Sequence, residues 1–291
     1  DIRRLAPGTG CQAALLTDTA KLVADLVVLA DEDALWLLCD ATRAAVVTQT
    51  LERYHFSEQV TLTNHERQTA TLALHGPRTF EFLTRILGAV LSLPHPEEHA
   101  RITLQEIPAR LVRHTRTGEA GLLLLCPAEH AHAVWDWLRR RGVEYGLGLV
   151  GWEALNVARI EAGIPWFGID MNETNLLPET GLEAVAASDT KGCYLGQEII
   201  ARMATYGSAN KKLVGVLLDG EETPERDDPM MRGGQVVGRV TSACFSLALH
   251  RPIAMGYLLR GAYEAGTLVE ILRGERRLAA AVTSRPFIAL T

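Results

Sequence analysis

From Lys212 onward the chain is written in short apolar runs broken by glycine- and charge-rich turns, and this texture limits the possible folds more than any other feature. Residues 213–218, 235–241, 253–258 and 267–271 each have the length of one strand. Strands this short and this closely spaced predict a small β-barrel over 209–291. The preceding part mixes two periods. Residues 13–38 alternate β-rich runs with polar turns such as Asp31-Glu-Asp33, as successive antiparallel strands do, while 41–54 carry apolar residues at helical spacing behind Asp40, a candidate N-cap. Residues 72–74 read as a strand, His75-Gly-Pro77 as a turn, and 78–87 as a helix stopped by Gly88. After a loop over 93–98 come a strand at 109–114, a turn at 117–121, a strand at 122–126 and an amphipathic helix at 128–141. No strict βαβ rhythm appears and no Gly-x-Gly-x-x-Gly follows a strand. An α+β region over 1–208 is therefore favoured over a dinucleotide-binding sheet.

Length agrees with two such regions, since 291 residues at roughly 150 per domain make about two. The longest apolar runs, such as Gly121-Leu-Leu-Leu-Leu-Cys126, fall far short of the roughly 20 residues that a membrane-spanning helix needs, so no membrane partner is expected. A net charge of −6 offers polyphosphate no global attraction, and no direct DNA partner is expected either. The five cysteines, at 11, 39, 126, 193 and 244, form no CxxC pair and fit neither a disulfide framework nor a zinc ribbon. His130-Ala-His132 has the spacing of one strand face but falls in the predicted helix, so no metal site is read there. Reduced thiols and the lack of a charged-plus-apolar leader after Asp1 predict a cytoplasmic location.

The densest chemical signal is Asp189-Thr-Lys-Gly-Cys-Tyr-Leu-Gly-Gln-Glu-Ile-Ile200. Two glycines bracket Cys193 and Tyr194, and Gln197-Glu198 opens an apolar run. The thiol is thus expected at a turn feeding a helix N-terminus, where helix-end amides and Lys191 favour thiolate. Lys191-Gly-Cys-Tyr-Leu-Gly-Gln-Glu198 resembles the signature of the YgfZ family, folate-binding relatives of the glycine-cleavage T-protein, an aminomethyltransferase. The resemblance runs through Leu74-His-Gly-Pro-Arg78, Thr117-Gly-Glu-Ala-Gly121, Arg159-Ile-Glu-Ala-Gly-Ile-Pro-Trp-Phe-Gly-Ile-Asp170 and Leu177-Pro-Glu-Thr-Gly-Leu182. It continues from Gly238-Arg-Val-Thr-Ser-Ala243 to Ile253-Ala-Met-Gly-Tyr257. Asp1-Ile-Arg-Arg-Leu5 resembles a point already inside the family's first domain, which implies a truncated N-terminus.

The resemblance implies two interleaved α+β subdomains and a C-terminal barrel in a ring-like arrangement, with tetrahydrofolate or another reduced folate as cofactor. A pterin presents a ring N–H beside an exocyclic amine, which a carboxylate can grip bidentately, and Glu119 on its tight turn is the candidate. Asp25 lies within the apolar run 22–29, where a carboxylate is costly without a partner. It matches one of two adjacent aspartates that the T-protein sets near the reacting folate nitrogens, while Ala24 replaces the other. Arg159 and Glu161 alternate with Ile160 and could offer one polar face to a ligand or form a structural ion pair. Trp166 or Phe167 could stack on the folate ring system. Asp170 reads as a turn cap. Gln197 is placed among the folate contacts, and Arg202, Lys211 and Lys212 suit a polyglutamate tail.

Three departures argue against T-protein catalysis. Leu155 stands where an arginine is expected, Arg116 where a tyrosine is expected, and Cys39 where a pterin-binding asparagine is expected. The first reading is therefore a folate-dependent accessory protein that supports assembly or repair of iron–sulfur proteins, including tRNA-modifying enzymes, with iron–sulfur client or assembly proteins as partners. Cys193 is its reactive thiol, tuned by Lys191, and Asp25 completes the chemical set. Alternatives are aminomethyl transfer to tetrahydrofolate, with Asp25 orienting the folate nitrogens, or a scaffold that has lost folate and only binds proteins.

Overall fold

The computed structural model describes residues 1–88, 92–206 and 209–289. Chain contacts divide into two compact units: Asp1–Leu15 with Val23–Val150, and Leu16–Leu22 with the chain from Gly151 onward.

The first unit is built on two sheets. Strands β1 (Gly10–Leu16), β2 (Leu22–Ala30) and β3 (Leu35–Leu38) form one sheet in that order, followed by helix α1 (Ala44–Arg53). A single 3-10 turn precedes α1, and the Asp40 side chain caps it by accepting from Thr42 N–H. The second sheet takes β4 (Thr69–His75), β5 (His99–Leu104), β6 (Ile107–Arg113) and β7 (Gly121–Pro127) in the antiparallel order β4-β7-β6-β5. Helices α2 (Thr79–Leu87) and α3 (Ala131–Gly142) complete the unit, and Gly88 ends α2 in the left-handed conformation that glycine adopts without a Cβ penalty.

Side-chain alternation decides the layering. Leu122, Leu124 and Cys126 of β7 pack with Phe82 and Leu83 of α2 and Trp137 of α3, whereas Leu123 and Leu125 point the other way, onto Val27 and Leu29 of β2. Both faces of β7 are covered, which is why its sequence is continuously apolar instead of alternating. On β2, Val27 and Leu29 face that inter-sheet layer while Ala24, Leu26 and Val28 face α1 through Val47.

In the second unit, helices α4 (Trp152–Glu161), α5 (Leu177–Thr180), α6 (Glu183–Ala186) and α7 (Gln197–Tyr206) precede the barrel. Strands β8 (Lys211–Leu218), β9 (Pro229–Arg232), β10 (Gln235–Ser246), β11 (Arg251–Leu259), β12 (Leu268–Arg273) and β13 (Arg276–Thr283) close in the order β10-β11-β8-β13-β12-β9. Val216, Leu218, Met230, Val240, Ala254 and Ile271 fill the interior. Gly238 and Gly256 are required by crowding: a Cβ at either position would meet a backbone carbonyl at 2.0 or 2.4 Å. The chain is thus mixed α+β with a C-terminal six-stranded barrel, as its sequence predicts. No helix among the described residues is long and apolar enough to cross a membrane.

Strands β5, β9 and β13 go beyond the sequence reading, and α4 corrects it. Arg159 and Glu161 were expected to share a face; in a helix, residues two apart project about 200° from each other, so they cannot.

Candidate functional site

One end of the inter-sheet layer in the first unit is polar. By strand alternation Asp25 shares the face of Val27 and Leu29, and it is the only residue of β2 that is not fully buried. His75 ends β4 on the face opposite Leu74, directly paired with Gly121 of β7. His114 follows β6, and its N–H donates to the Gly121 carbonyl at 3.2 Å. Gly121 therefore lies between the His75 ring and the His114 backbone. A Cβ there would come within 2.6 Å of His75 Nδ1 and 2.5 Å of the His114 carbonyl, so the bare glycine is what lets His75 lie where it does.

The electrostatics of this end are uneven. Burial pushes the Asp25 carboxyl above its ordinary pKa, against the opposing pull of its own backbone N–H and of the Arg116 and His114 charges. Asp40 adds to the rise. His75 is driven down to about 4, first by burial and then by the charges of His114 and Arg116, so its ring is neutral at pH 7. Both of its ring nitrogens are buried and neither has a hydrogen-bond partner among the described residues. His114 is better matched: Nδ1 lies 3.2 Å from Glu97 Oε1, which also accepts from Gln12 Nε2 at 3.3 Å. Glu97 holds φ at 61°, an unusual conformation for a non-glycine residue.

Glu119 sits on the next turn, 115–120, and is half-buried. That turn is organised by Thr115 Oγ1, which accepts from Thr117 N–H and Gly118 N–H at 3.2 and 3.0 Å, while Glu119 N–H donates to Thr117 Oγ1 at 3.3 Å. Gly118 takes φ of 79°, so the glycine preceding Glu119 is demanded by backbone geometry. Cys39 packs on the α1 side of the first sheet, and burial together with Asp25 and Asp40 raises its thiol pKa.

The second unit holds the other expected residues, in two groups. Arg159 is completely enclosed and pairs with Asp170, while its remaining donors reach Asn156 Oδ1 at 2.9 Å and Ser242 Oγ at 2.6 Å. Asp170 also accepts from Trp166 N–H, Thr241 Oγ1 and Ser242 Oγ, at 3.0, 2.6 and 2.6 Å. It is the hub of a buried network, a larger role than the turn cap its sequence context suggests. Glu161 accepts from Ser246 Oγ at 2.6 Å and Ala248 N–H at 3.2 Å, fastening α4 to the end of β10. Arg159 thus forms the ion pair of the two alternatives, with Asp170 and not with Glu161. Trp166 is half-buried, edge-on to Trp152 at 5.2 Å, and Phe167 is buried.

The Cys193 segment lies just before α7. Cys193 is exposed, whereas Cys126 and Cys244 are buried and Cys11 and Cys39 intermediate. Burial pushes the Cys126 thiol up, and that of Cys244 to about 12. The Lys191 ammonium rests over the Tyr194 ring, 4.4 Å from its centre, in a cation–π contact. Gln197 Oε1 accepts from Tyr194 N–H at 3.2 Å and tightens the turn, while Gly196, at φ of 77°, packs so closely on Ala20 that no Cβ fits. Arg202 is exposed and pairs with Glu198 at 2.9 Å. Lys211 lies 3.5 Å from Glu179 and 5.0 Å from the Tyr257 ring centre, and Lys212 lies over Tyr263 at 5.1 Å. Among the described residues no cluster of three or more His, Cys, Asp or Glu is arranged to hold a metal.

Sequence reasoning missed His75, His114 and Glu97. The signal for His75 was present, inside Leu74-His-Gly-Pro-Arg78, but only the Gly-Pro turn was used.

An α+β unit with a polar inter-sheet end, joined in sequence to a six-stranded barrel, defines the class. The GCVT N-terminal domain matches residues 1–190, and the glycine cleavage T-protein C-terminal barrel domain matches 211–288. The chain belongs to this glycine cleavage T-protein family. It is 30% identical over 303 residues to the aminomethyltransferase of Synechococcus sp. (strain CC9311), covering 99% of this chain and 79% of the relative. To the aminomethyltransferase of Symbiobacterium thermophilum it is 31% identical over 296 residues, covering 99% and 78%. The crystal structure of glycine cleavage system aminomethyltransferase T from Bartonella henselae superposes with a TM-score of 0.85 at 22% identity, covering 99% of this chain and 78% of that one. At that identity the superposition speaks for the fold.

Proposed function

We propose that this chain binds a reduced folate, tetrahydrofolate or a derivative, and serves as a YgfZ-type accessory protein for the assembly or repair of iron–sulfur proteins, among them tRNA-modifying enzymes. The observation that carries the folate part is the polar end of the inter-sheet layer. Asp25 is kept in mid-strand at a desolvation cost on the inter-sheet face that also carries His75, whose ring nitrogens have no partner among the described residues, and such cost is typical of groups retained for a ligand. Glu119, on the adjoining turn, offers a second carboxylate suited to a pterin's paired donors. When bound, the folate supplies a carrier for one-carbon units. Trp166, Gln197 and Arg202 stay in the proposal as further contacts. Arg159 and Glu161 leave it, because their side-chain polar groups are engaged internally.

The accessory part rests on Lys191-Gly-Cys-Tyr-Leu-Gly-Gln-Glu198, whose cysteine alone of the five is exposed. One-carbon transfer to folate needs no thiol on this protein, so an exposed cysteine in this motif favours the accessory reading. A second reading, aminomethyl transfer to tetrahydrofolate, draws support from relatives of that name at about 30% identity.

Titration with tetrahydrofolate and folinate, followed by a turnover assay with a lipoylated aminomethyl carrier, separates the readings. Binding without turnover is expected, together with failure of Cys193→Ala to restore iron–sulfur enzyme activity in cells lacking the protein. Turnover at the rate of a true T-protein would install the second reading, and absence of folate binding would leave neither.

A further inference from the structure

We infer that His75 is a ligand-binding residue, completing a hydrogen bond to an uncharged polar group of the bound molecule at the Asp25 end of the first unit. Three observations on different strands converge on it. The ring closes β4 on the inter-sheet face, the same face that carries Asp25 on β2 and His114 after β6. Gly121, opposite it on β7, has no side chain, and any Cβ there would strike Nδ1 at 2.6 Å. Both ring nitrogens are withdrawn from solvent yet matched by no protein group among the described residues, while the neighbouring imidazole of His114 has Glu97.

A neutral imidazole carries one N–H donor and one lone-pair acceptor, and leaving either unmatched in a protein interior is destabilising. A chain with only packing to satisfy at this position would be served better by an aromatic hydrocarbon ring of the same shape. The chemical class that suits His75 is a neutral heterocycle or amide, able to present an N–H or a carbonyl. The choice of a reduced folate as probe rests on the reading given above; the assignment of His75 as an unmatched binding group rests on the geometry alone.

The experiment is a paired measurement on the full chain, comparing wild type, His75→Phe and His75→Gln by thermal melting and by calorimetric titration with tetrahydrofolate. A ligand role predicts that His75→Phe melts at the wild-type temperature or above, since the unmatched nitrogens are gone, while affinity falls about tenfold or more. His75→Gln, which restores a donor and an acceptor, should recover most of the affinity. Long-range proton–nitrogen spectra of the wild-type ring should shift on ligand addition. A His75→Phe variant that melts lower and binds as tightly as wild type overturns the inference, because the nitrogens are then satisfied internally, as by a fixed water. If wild type binds no folate, the folate reading fails, and melting alone decides the inference: a gain in His75→Phe keeps His75 as an unmatched group, a loss makes it structural.

Discussion

The inter-sheet end of the first unit and the Arg159 network of the second both bury charge, and they differ in how completely it is matched. Asp170 accepts from Arg159, Trp166 N–H, Thr241 and Ser242, and Arg159 spends its own donors on Asp170, Asn156 and Ser242. Asp25 has a raised pKa, and the two ring nitrogens of His75 have no partner among the described residues. A saturated network holds helix and barrel in one arrangement and leaves no valence for a visitor, whereas an unsaturated one carries a cost that a ligand can relieve. Buried charge alone is therefore a poor guide to a binding site; the unmatched remainder is the better one.

The largest expected effect falls on the saturated side. Asp170→Ala strands the Arg159 guanidinium in an enclosed position, and loss of one partner from such a pair costs about 3–5 kcal/mol. Chemical denaturation should show that loss, and a change under 1 kcal/mol would break the comparison. Gly121→Ala comes next. Its Cβ has no room beside His75 and the His114 carbonyl, so crowding should cost about 1–3 kcal/mol and displace the His75 ring. A variant as stable as wild type, with unchanged His75 resonances, would show that the end is looser than described.

Asp25→Asn should have the smallest effect on stability and the opposite sign. The folded-state pKa of Asp25 lies above its ordinary value of 3.8, so the folded state holds the proton more tightly than the unfolded chain. Wild-type stability therefore falls as pH rises from 3.8 through the raised pKa. Asparagine carries no such charge. The variant should melt above wild type at pH 7, and the gap should close as pH is lowered through the raised pKa toward 3.8.

Much of the scaffold was legible in the sequence because local pattern and burial agree there. Strand-length runs after Lys212 become barrel strands, Asp40 caps its turn, and Gly88 ends α2. The helix α4 was obscured because its end, Arg159-Ile-Glu161, alternates polar and apolar residues in a strand-like way; the partners that bury Arg159, at Asp170 and Ser242, lie 11 and 83 residues away. Asp25 stood out as a carboxylate in an apolar run. His75 did not, since a histidine before Gly-Pro reads as turn chemistry, and its importance arises from Gly121 and His114, which only strand pairing brings to it.

The most direct test of the account is calorimetric titration of tetrahydrofolate into wild type and Asp25→Asn at pH 7, with both melting curves recorded. The account predicts that wild type binds and that the variant, though more stable, loses at least tenfold in affinity, separating binding from stability at a single carboxylate. Equal affinity in a variant that melts lower than wild type would contradict it, and would make Asp25 a structural residue like Asp170.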